Sequence, residues 1–297
     1  MFNFRLQVFH SAATNLSFTR TAKELFITQP AVTNNIKELE NSLGVSLFDR
    51  KQNGISLTKA GVILLKYTEQ AFAKYKKLEY ELGILKNSFS GRLKIGASTT
   101  IEQYVLPPIL AQFKQKYPDI EIFLYNNNTM NIEKSVIQHG IDLGVIEGNS
   151  GDKEFKYIPF MKDEIVAIAH TSQPVSEKGQ LSLDDLKTTP LVIRETGSGS
   201  LDVISAELQK HTIKLKELNI KMYLGSTESI KTFLKNANCI SFVSIHAVSK
   251  EIVQGQFKII DIENLDITRT FNFIYPQGQQ NGLTDRFIEF CLKNKYN

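Results

Sequence analysis

The stretch Ser17-Phe18-Thr19-Arg20-Thr21-Ala22-Lys23-Glu24-Leu25-Phe26-Ile27-Thr28-Gln29-Pro30-Ala31-Val32-Thr33-Asn34-Asn35-Ile36-Lys37-Glu38-Leu39-Glu40-Asn41-Ser42-Leu43-Gly44 decides how the amino-terminal third folds. Ser17 can cap a short helix over Phe18 to Phe26, with Ala22 and Leu25 on its buried face. Ile27 and Thr28 make a tight turn, and Thr28 caps a second helix. Pro30 suits that helix's first turn, where a missing N–H costs nothing. The helix runs to Leu43 and stops at Gly44, a natural residue just past a helix end. Within it Val32, Ile36, Leu39 and Leu43 recur at spacings of 4, 3 and 4, which predicts one buried stripe. The opposite face carries Gln29, Pro30, Thr33, Asn34, Lys37 and Asn41, hydrogen-bonding groups with a single charge among them.

Two helices about a short turn, the second burying one face and offering donors and acceptors near its N-terminus, is what reading base edges in a major groove requires. A plain helical domain with a solvated polar face has the same spacing, so the next segment matters. Leu47 to Leu57 contains Asn53-Gly54, a two-residue hairpin signal that puts Arg50 and Lys51 on a small wing able to reach phosphates or a minor groove. Thr58 can then cap a long helix from Lys59 to about Phe89. Leu64, Ala71, Leu78 and Leu85 recur every seven residues, with Thr68, Tyr75, Leu82 and Phe89 at the companion position, a coiled-coil seam. About thirty helical residues span ~45 Å, too long for one small domain to bury, so the helix is expected to pair two copies.

Charge follows the same division. The chain of 297 residues has a net charge of +4. Residues 1–90 hold 12 Lys/Arg against 7 Asp/Glu, while residues 91–297 hold 23 against 24. The amino-terminal third is the better partner for a polyanion. Hydrophobic residues at 42% and charged residues at 22% exclude wholesale disorder. No run approaches the ~18–20 apolar residues of a membrane span. Met1 to His10 shows no basic, apolar and small-residue succession of a secretory signal, and Cys239 and Cys291 have no CxxC spacing. A cytoplasmic protein with reduced thiols is expected.

From Arg92 strands and helices alternate. Strands are expected at Leu93–Ala97, Ile120–Tyr125, Ile141–Ile146, Ile165–Ala169, Leu191–Arg194, Leu218–Leu224, Ile240–Val243 and Phe271–Tyr275. Helices are expected over Glu102–Tyr117, Asn131–His139, Ser200–His211, Ser229–Lys235, Ala247–Val253 and Leu283–Leu292. This βαβ alternation argues for a parallel sheet covered by helices, in two lobes. Ligands of open α/β sheets sit beyond strand C-termini, at helix starts. Ser98, Thr99 and Thr100, then Thr129, then Thr196, Gly197 and Ser198, then Ser226 and Thr227 occupy such places. Arg194 and Lys231 are supporting cations. Together they suit a small carboxylate or inorganic oxyanion. Ser and Thr also cap helices everywhere, with the same atoms. HExxH, GxSxG and Walker-type patterns are missing, and the five histidines are scattered, so no catalytic, metal or cofactor site is expected.

The segments Ser17 to Leu25, Thr28 to Thr33, Ile36 to Glu40, Leu43-Gly44, Leu47 to Arg50 and Leu57-Thr58-Lys59-Ala60-Gly61 are similar to the signature of LysR-type transcriptional regulators. The resemblance continues along the whole chain. Thr33 stands where the family usually has Ser, and Asn34 where it often has Arg, which removes a guanine reader. The resemblance implies a winged helix-turn-helix over residues 1–58 and a linker helix over 59–90. It implies a two-lobed effector domain like a type 2 periplasmic binding protein over 91–297, with lobe I at 91–162 and 268–297 and lobe II at 163–267. It implies DNA contacts from Gln29, Pro30, Thr33, Asn34, Lys37, Arg50 and Lys51 on an interrupted near-palindrome. Homodimers that pair into tetramers, and contact with RNA polymerase, are implied as well. The two Ser/Thr loops look most like the branch regulating sulfur assimilation or carbon fixation. A solute-binding protein without DNA function, or an enzyme on the two-lobed fold, are the alternatives; the missing signal and missing catalytic groups oppose them.

Overall fold

The computed structural model describes residues 3–51, 54–85, 89–148, 151–278 and 282–294. The chain divides into two compact units, Met1–Ser88 with Gln280–Gly282, and Phe89–Gln279 with Leu283–Asn297.

The first unit begins with a helix for which the sequence pattern gives no expectation. Helix α1 (Phe4–Asn15) is capped by the Asn3 side chain and buries Val8, Phe9, Ala12 and Ala13. The Ser17 hydroxyl accepts from Arg20 N to start α2 (Phe18–Glu24). That helix ends two residues before the expected Phe26, which takes a left-handed φ of 55° and lies 94% exposed. Helix α3 (Gln29–Leu43) matches expectation at both ends. Thr28 Oγ1 accepts from Ala31 N, and Gly44 closes it at φ 69°. Val32, Ile36 and Leu39 are buried, but Leu43 is exposed, because the helix outruns the small core beneath it. That core joins Phe9, Val32, Ile36, Leu47 and Phe48. Strands β1 (Phe48–Lys51) and β2 (Gly54–Leu57) pair antiparallel, Phe48 opposite Leu57, to form the wing. Glu40 of α3 accepts from Leu47 N at 2.7 Å and Phe48 N at 3.3 Å, tying the wing's root to the recognition helix. The turn residue Asn53 and the side chains of Arg50 and Lys51 lie outside the described residues.

Helix α4 (Lys59–Leu85) is 27 residues long, with Gly61 N donating to Thr58 Oγ1 at 3.0 Å. A Cβ on Gly61 would sit 2.2 Å from Leu47 O, so the start of α4 and the wing can approach only because residue 61 is glycine. Thr68 is buried on α4 and its hydroxyl returns to Leu64 O. Ile63, Tyr67, Leu78 and Leu82 leave large apolar side chains exposed. The expected seam residue Leu85 has its side chain outside the described residues.

The second unit is α/β. In chain order it has β3 (Gly91–Ser98), a wide π-type turn at Ile101–Val105, α5 (Leu106–Lys116), β4 (Ile120–Asn127), α6 (Thr129–Ile137), β5 (Leu143–Glu147) and β6 (Phe155–His170). Then come β7 (Gln180–Leu181), α7 (Leu183–Thr188), β8 (Leu191–Arg194), α8 (Gly199–Lys210), β9 (Ile220–Leu224) and α9 (Thr227–Leu234). The chain finishes with β10 (Ser241–Ser244), α10 (Ile245–Val253), β11 (Phe257–Ile259), β12 (Asp261–Ile262), β13 (Ile267–Pro276) and α11 (Gly282–Asn294). The main sheet runs β10-β6-β13-β5-β3-β4, with β11 also on β6.

The sheet is mixed rather than parallel as expected. Strand β3 is parallel to β4 and β5, and β8 is parallel to β9. Strands β6 and β13 are antiparallel to each other over ten residues, and β13 is antiparallel to β5. These two long strands pass through both lobes. Their isolated apolar stretches, Ile165–Ala169 and Phe271–Tyr275, read as short strands because charged residues interrupt the pattern on each. One core gathers Leu93, Ile95, Leu106, Phe113, Phe160, Phe271, Phe273 and Phe287. The other gathers Ile165, Ala167, Leu186, Ile193, Ile204, Leu208 and Phe242. The expected helix Glu102–Tyr117 splits into the π-type turn and α5, where Pro107 and Pro108 occupy the first turn.

Candidate functional site: an interlobe polar cluster and a recognition helix

On α3 the apolar stripe faces the domain core, which leaves Gln29, Pro30, Asn34 and Lys37 exposed and Thr33 half-buried. Gln29 Nε2 donates to Thr33 Oγ1 at 3.1 Å, and Asn34 Nδ2 to Glu38 Oε1 at 3.0 Å. Arg5 of α1 pairs with Glu38 Oε2 at 2.6 Å. The polar face is therefore one turn-spaced row of oriented amides and hydroxyls, with the neighbouring Glu38 carboxylate already paired.

Between the lobes of the second unit part of the expected set, Ser98, Thr99, Thr129, Arg194 and Gly197, comes together, and carboxylates outside that set lie among them. Ser98 at the end of β3, Thr99, Thr100, Thr129 and Ser198 are all buried. Capping accounts for only part of the set. Ser226 caps α9 by accepting from Ser229 N, and Asn128 caps α6. Thr100 and Ser198 stand at helix starts without any side-chain capping bond. Thr129 Oγ1 is buried with no hydrogen-bond partner. Thr196 is exposed, Gly197 takes φ 86°, and Thr227 is buried at the start of α9. Across the gap Met130 N donates to Gly197 O at 3.3 Å, and Arg194 Nη2 donates to Thr99 Oγ1 at 3.3 Å. A Cβ on Gly199 would lie 2.6 Å from Thr129 Oγ1 and 2.8 Å from Glu147 O, so the lobes close to backbone contact here.

The deepest part is an ion network. Arg269 on β13 donates through Nη1 to Glu147 Oε2 at 2.6 Å and through Nε to Asp163 Oδ2 at 2.7 Å. Ser200 of α8 donates to Glu147 at 2.7 Å, Ser98 to Glu147 at 3.2 Å, and Ser244 to Asp163 at 2.6 Å. These bonds join β3, β5, β6, β10, β13 and α8 at one point. Arg269 Nη2 is left buried without a partner. A second interlobe contact runs from the Tyr104 hydroxyl on the π-type turn to Glu228 of α9. Lys231, expected as a supporting cation, is buried and bound to Ala247 O, Glu228 and Glu251. Glu147 and Arg269 carry a signal in the sequence, whereas Asp163, in the run Lys162-Asp163-Glu164, and Tyr104 carry none. A charged residue inside an apolar strand, as in Leu143-Gly-Val-Ile-Glu147 or Ile267-Thr-Arg269-Thr-Phe271, must find an opposite charge.

Burial alone would raise the pKa of Glu147, but the Arg269 guanidinium, with Thr100 and Ser200 hydroxyls beside it, outweighs burial and holds the carboxyl below its ordinary 4.5. A carboxyl depressed by folding contributes stability that is complete above its unfolded pKa and lost as pH falls through the lower folded value. We therefore expect an acid-unfolding limb below about pH 4.5, and a shallower limb in Glu147→Gln, read by circular dichroism against pH. Identical limbs would remove Glu147 from the acid response. Among the described residues no group of three His, Cys, Asp or Glu is placed to hold a metal, and no helix is long and apolar enough to cross a membrane.

Two family models match. One, a bacterial regulatory helix-turn-helix protein of the lysR family, covers residues 4–62. The other, the LysR substrate binding domain, covers residues 86–295. A probable RuBisCO transcriptional regulator of Trieres chinensis is 35% identical over 301 residues, covering 99% of this chain and 97% of that one. The HTH-type transcriptional regulator CysL of Bacillus subtilis is 28% identical over 291 residues, covering 98% and 96%. The regulatory domain of CcmR from Synechocystis PCC6803, solved in complex with 2-PG, superposes with a TM-score of 0.63 at 27% identity. It spans 70% of this chain and 99% of that domain.

Proposed function

The chain belongs to the lysR family of bacterial regulatory helix-turn-helix proteins and is a DNA-binding transcriptional regulator with an effector-binding domain, and from that premise we propose that a small anion between its lobes sets its hold on DNA. The observation that carries this reading is the Thr129 hydroxyl, buried without a hydrogen-bond partner beside Gly199 where the lobes meet, together with Ser198 that caps nothing and Arg194 bonded to Thr99 of the facing loop. Hydroxyls and helix-start N–H groups with a guanidinium suit a carboxylate or phosphate. The effector must bind one lobe arrangement better than another to shift anything, and the interlobe bonds define such an arrangement.

For DNA, Gln29, Pro30, Thr33 and Asn34 read bases from α3, while Lys37, Arg50 and Lys51 hold phosphates. The stripe of Ile63, Tyr67, Leu78 and Leu82 on α4 is covered by a second copy, giving a two-fold pair on a near-palindrome. Pairing of dimers into tetramers, contact with RNA polymerase and a cytoplasmic setting follow from the same role. Residues 1–58, 59–90 and 91–297 serve as reader, pairing helix and sensor. Because relatives named for RuBisCO regulation and the 2-PG complex stand beside CysL, 2-PG is the first probe, with inorganic phosphate second.

A mobility-shift titration on the chain's own upstream region, with and without 2-PG, tests the whole. We expect a changed affinity or mobility with 2-PG. Thr33→Ala and Asn34→Ala should relax base preference by roughly 1–3 kcal/mol at the affected positions, whereas Lys51→Ala should weaken all sequences alike. Equal losses on specific and random DNA for all three would overturn the division between readers and phosphate contacts.

A further inference from the structure

Arg194 is the cation closest in bonding to the first-strand loop, since its Nη2 reaches Thr99. Its guanidinium is 3% exposed, yet it is not open to a ligand. Glu195, the next residue, grips it from the side, Nε to Oε2 at 2.8 Å and Nη2 to Oε1 at 3.0 Å. This is the two-point geometry that a free carboxylate or phosphate would use.

Charge in the gap sharpens the point. The cations Arg194, Lys231 and Arg269 face the carboxylates Glu147, Asp163, Glu195, Glu228 and Glu251. Carboxylates outnumber cations, so an anion arriving without displacing one would meet net repulsion. Glu147 and Asp163 cannot leave, being fully enclosed and held by Arg269 and serine hydroxyls. Glu228 and Glu251 are bound to Lys231 on the other side of the gap. Glu195 is different. Its side chain is 29% exposed, among the described residues it is bonded to Arg194, and it lies in the loop before α8 at the edge of solvent.

We infer that Glu195 is a specificity-determining residue, an internal carboxylate occupying the anion seat on Arg194 that an incoming effector takes by exchange. The inference rests on the anion reading of the cleft proposed above, and it assigns the strength and charge selectivity of that site to one side chain. An effector carrying a single weak carboxylate gains little by trading places with Glu195. A doubly charged phosphate ester gains the larger charge and a third acceptor oxygen, so the seat selects for it.

The test uses full-length protein, with 2-PG and inorganic phosphate as probes in isothermal titration and thermal melting. Glu195→Gln keeps the shape and removes the charge. It should bind 2-PG roughly three- to tenfold more tightly than the parent, because no carboxylate competes. It should melt lower without anion and gain more from phosphate. Glu195→Asp keeps the charge on a shorter stem that reaches the fork poorly, and should fall between the two. It decides the matter alone should the glutamine variant fail to fold. Binding by the variant where the parent shows none also supports the inference. Parent and variants binding 2-PG equally would overturn it while leaving the anion reading standing. Failure of parent and variants alike to take either probe would overturn both.

Discussion

Arg269→Met is expected to lower the unfolding free energy of the second unit by about 3–5 kcal/mol, the range found when one partner of a buried ion network is removed. The size follows from what is left behind. Glu147 and Asp163 are both buried, and Arg269 is the cation hydrogen-bonded to each. Without it two carboxylates face each other in an interior of low polarity, supported by hydroxyls, those of Ser98, Ser200 and Ser244 among them. The measurement is a urea titration followed at neutral pH. At acid pH the gap between parent and variant should narrow, because protonated carboxyls no longer need the guanidinium. Adding Glu147→Gln and Asp163→Asn to Arg269→Met should recover part of the loss, since a neutral amide cluster is cheaper to bury than unpaired charge. A single variant that unfolds at the parent's midpoint would mean that the network contributes nothing net. Arg269 also donates to Ser200 on α8, so the same variant loosens the tie between the crossing strands and the second lobe.

Much of this architecture was legible in the residues, and the failures have definite causes. Helix α3 announced itself because cap, first-turn proline, apolar period and terminal glycine all agree over Thr28 to Gly44. Helix α1 did not. Its buried apolar residues Val8, Phe9, Ala12 and Ala13 are few, two of them alanine, so the period is weak, and its cap is Asn3, close to the start of the sequence. The sheet was read as parallel because βαβ alternation is local information, whereas β6 and β13 find each other across about a hundred residues. Site residues split the same way. Hydroxyls at helix starts are visible from local pattern, which is why Ser98, Thr100, Thr129 and Ser198 stand out in the sequence. The charged groups Glu147, Asp163 and Arg269 come from separate elements, and no spacing rule brings them together. The family resemblance supplied the order of domains; it did not supply which hydroxyls cap and which face the gap.

Gly199→Ala is expected to force the lobes apart and to cost the closed arrangement roughly 1–3 kcal/mol or more, the range for overpacking a close-fitted interior. A Cβ at this position would lie 2.6 Å from Thr129 Oγ1, 2.8 Å from Glu147 Cβ and 2.8 Å from Glu147 O. The threonine could rotate, but the backbone oxygen and Cβ of Glu147 are fixed by β5 and by the bonds to Arg269 and Ser200. The added methyl therefore cannot be absorbed by one side chain. Relief must come from moving α8 away from β5, which stretches the Ser200–Glu147 and Met130–Gly197 contacts together. An open arrangement penalised in the parent becomes the ground state, so any ligand that favours closure loses affinity by the free energy needed to restore it. At 1.4 kcal/mol per factor of ten, the weakening for 2-PG should be about five- to a hundredfold. The reader unit is a separate compact body whose buried core does not draw on residue 199, so binding of DNA without effector should persist while its response to 2-PG fades. Small-angle scattering should show the second unit expanded. A variant that keeps the parent's effector affinity and compactness would show that the strands yield at Glu147, and that contact between α8 and β5 does not hold the lobes closed.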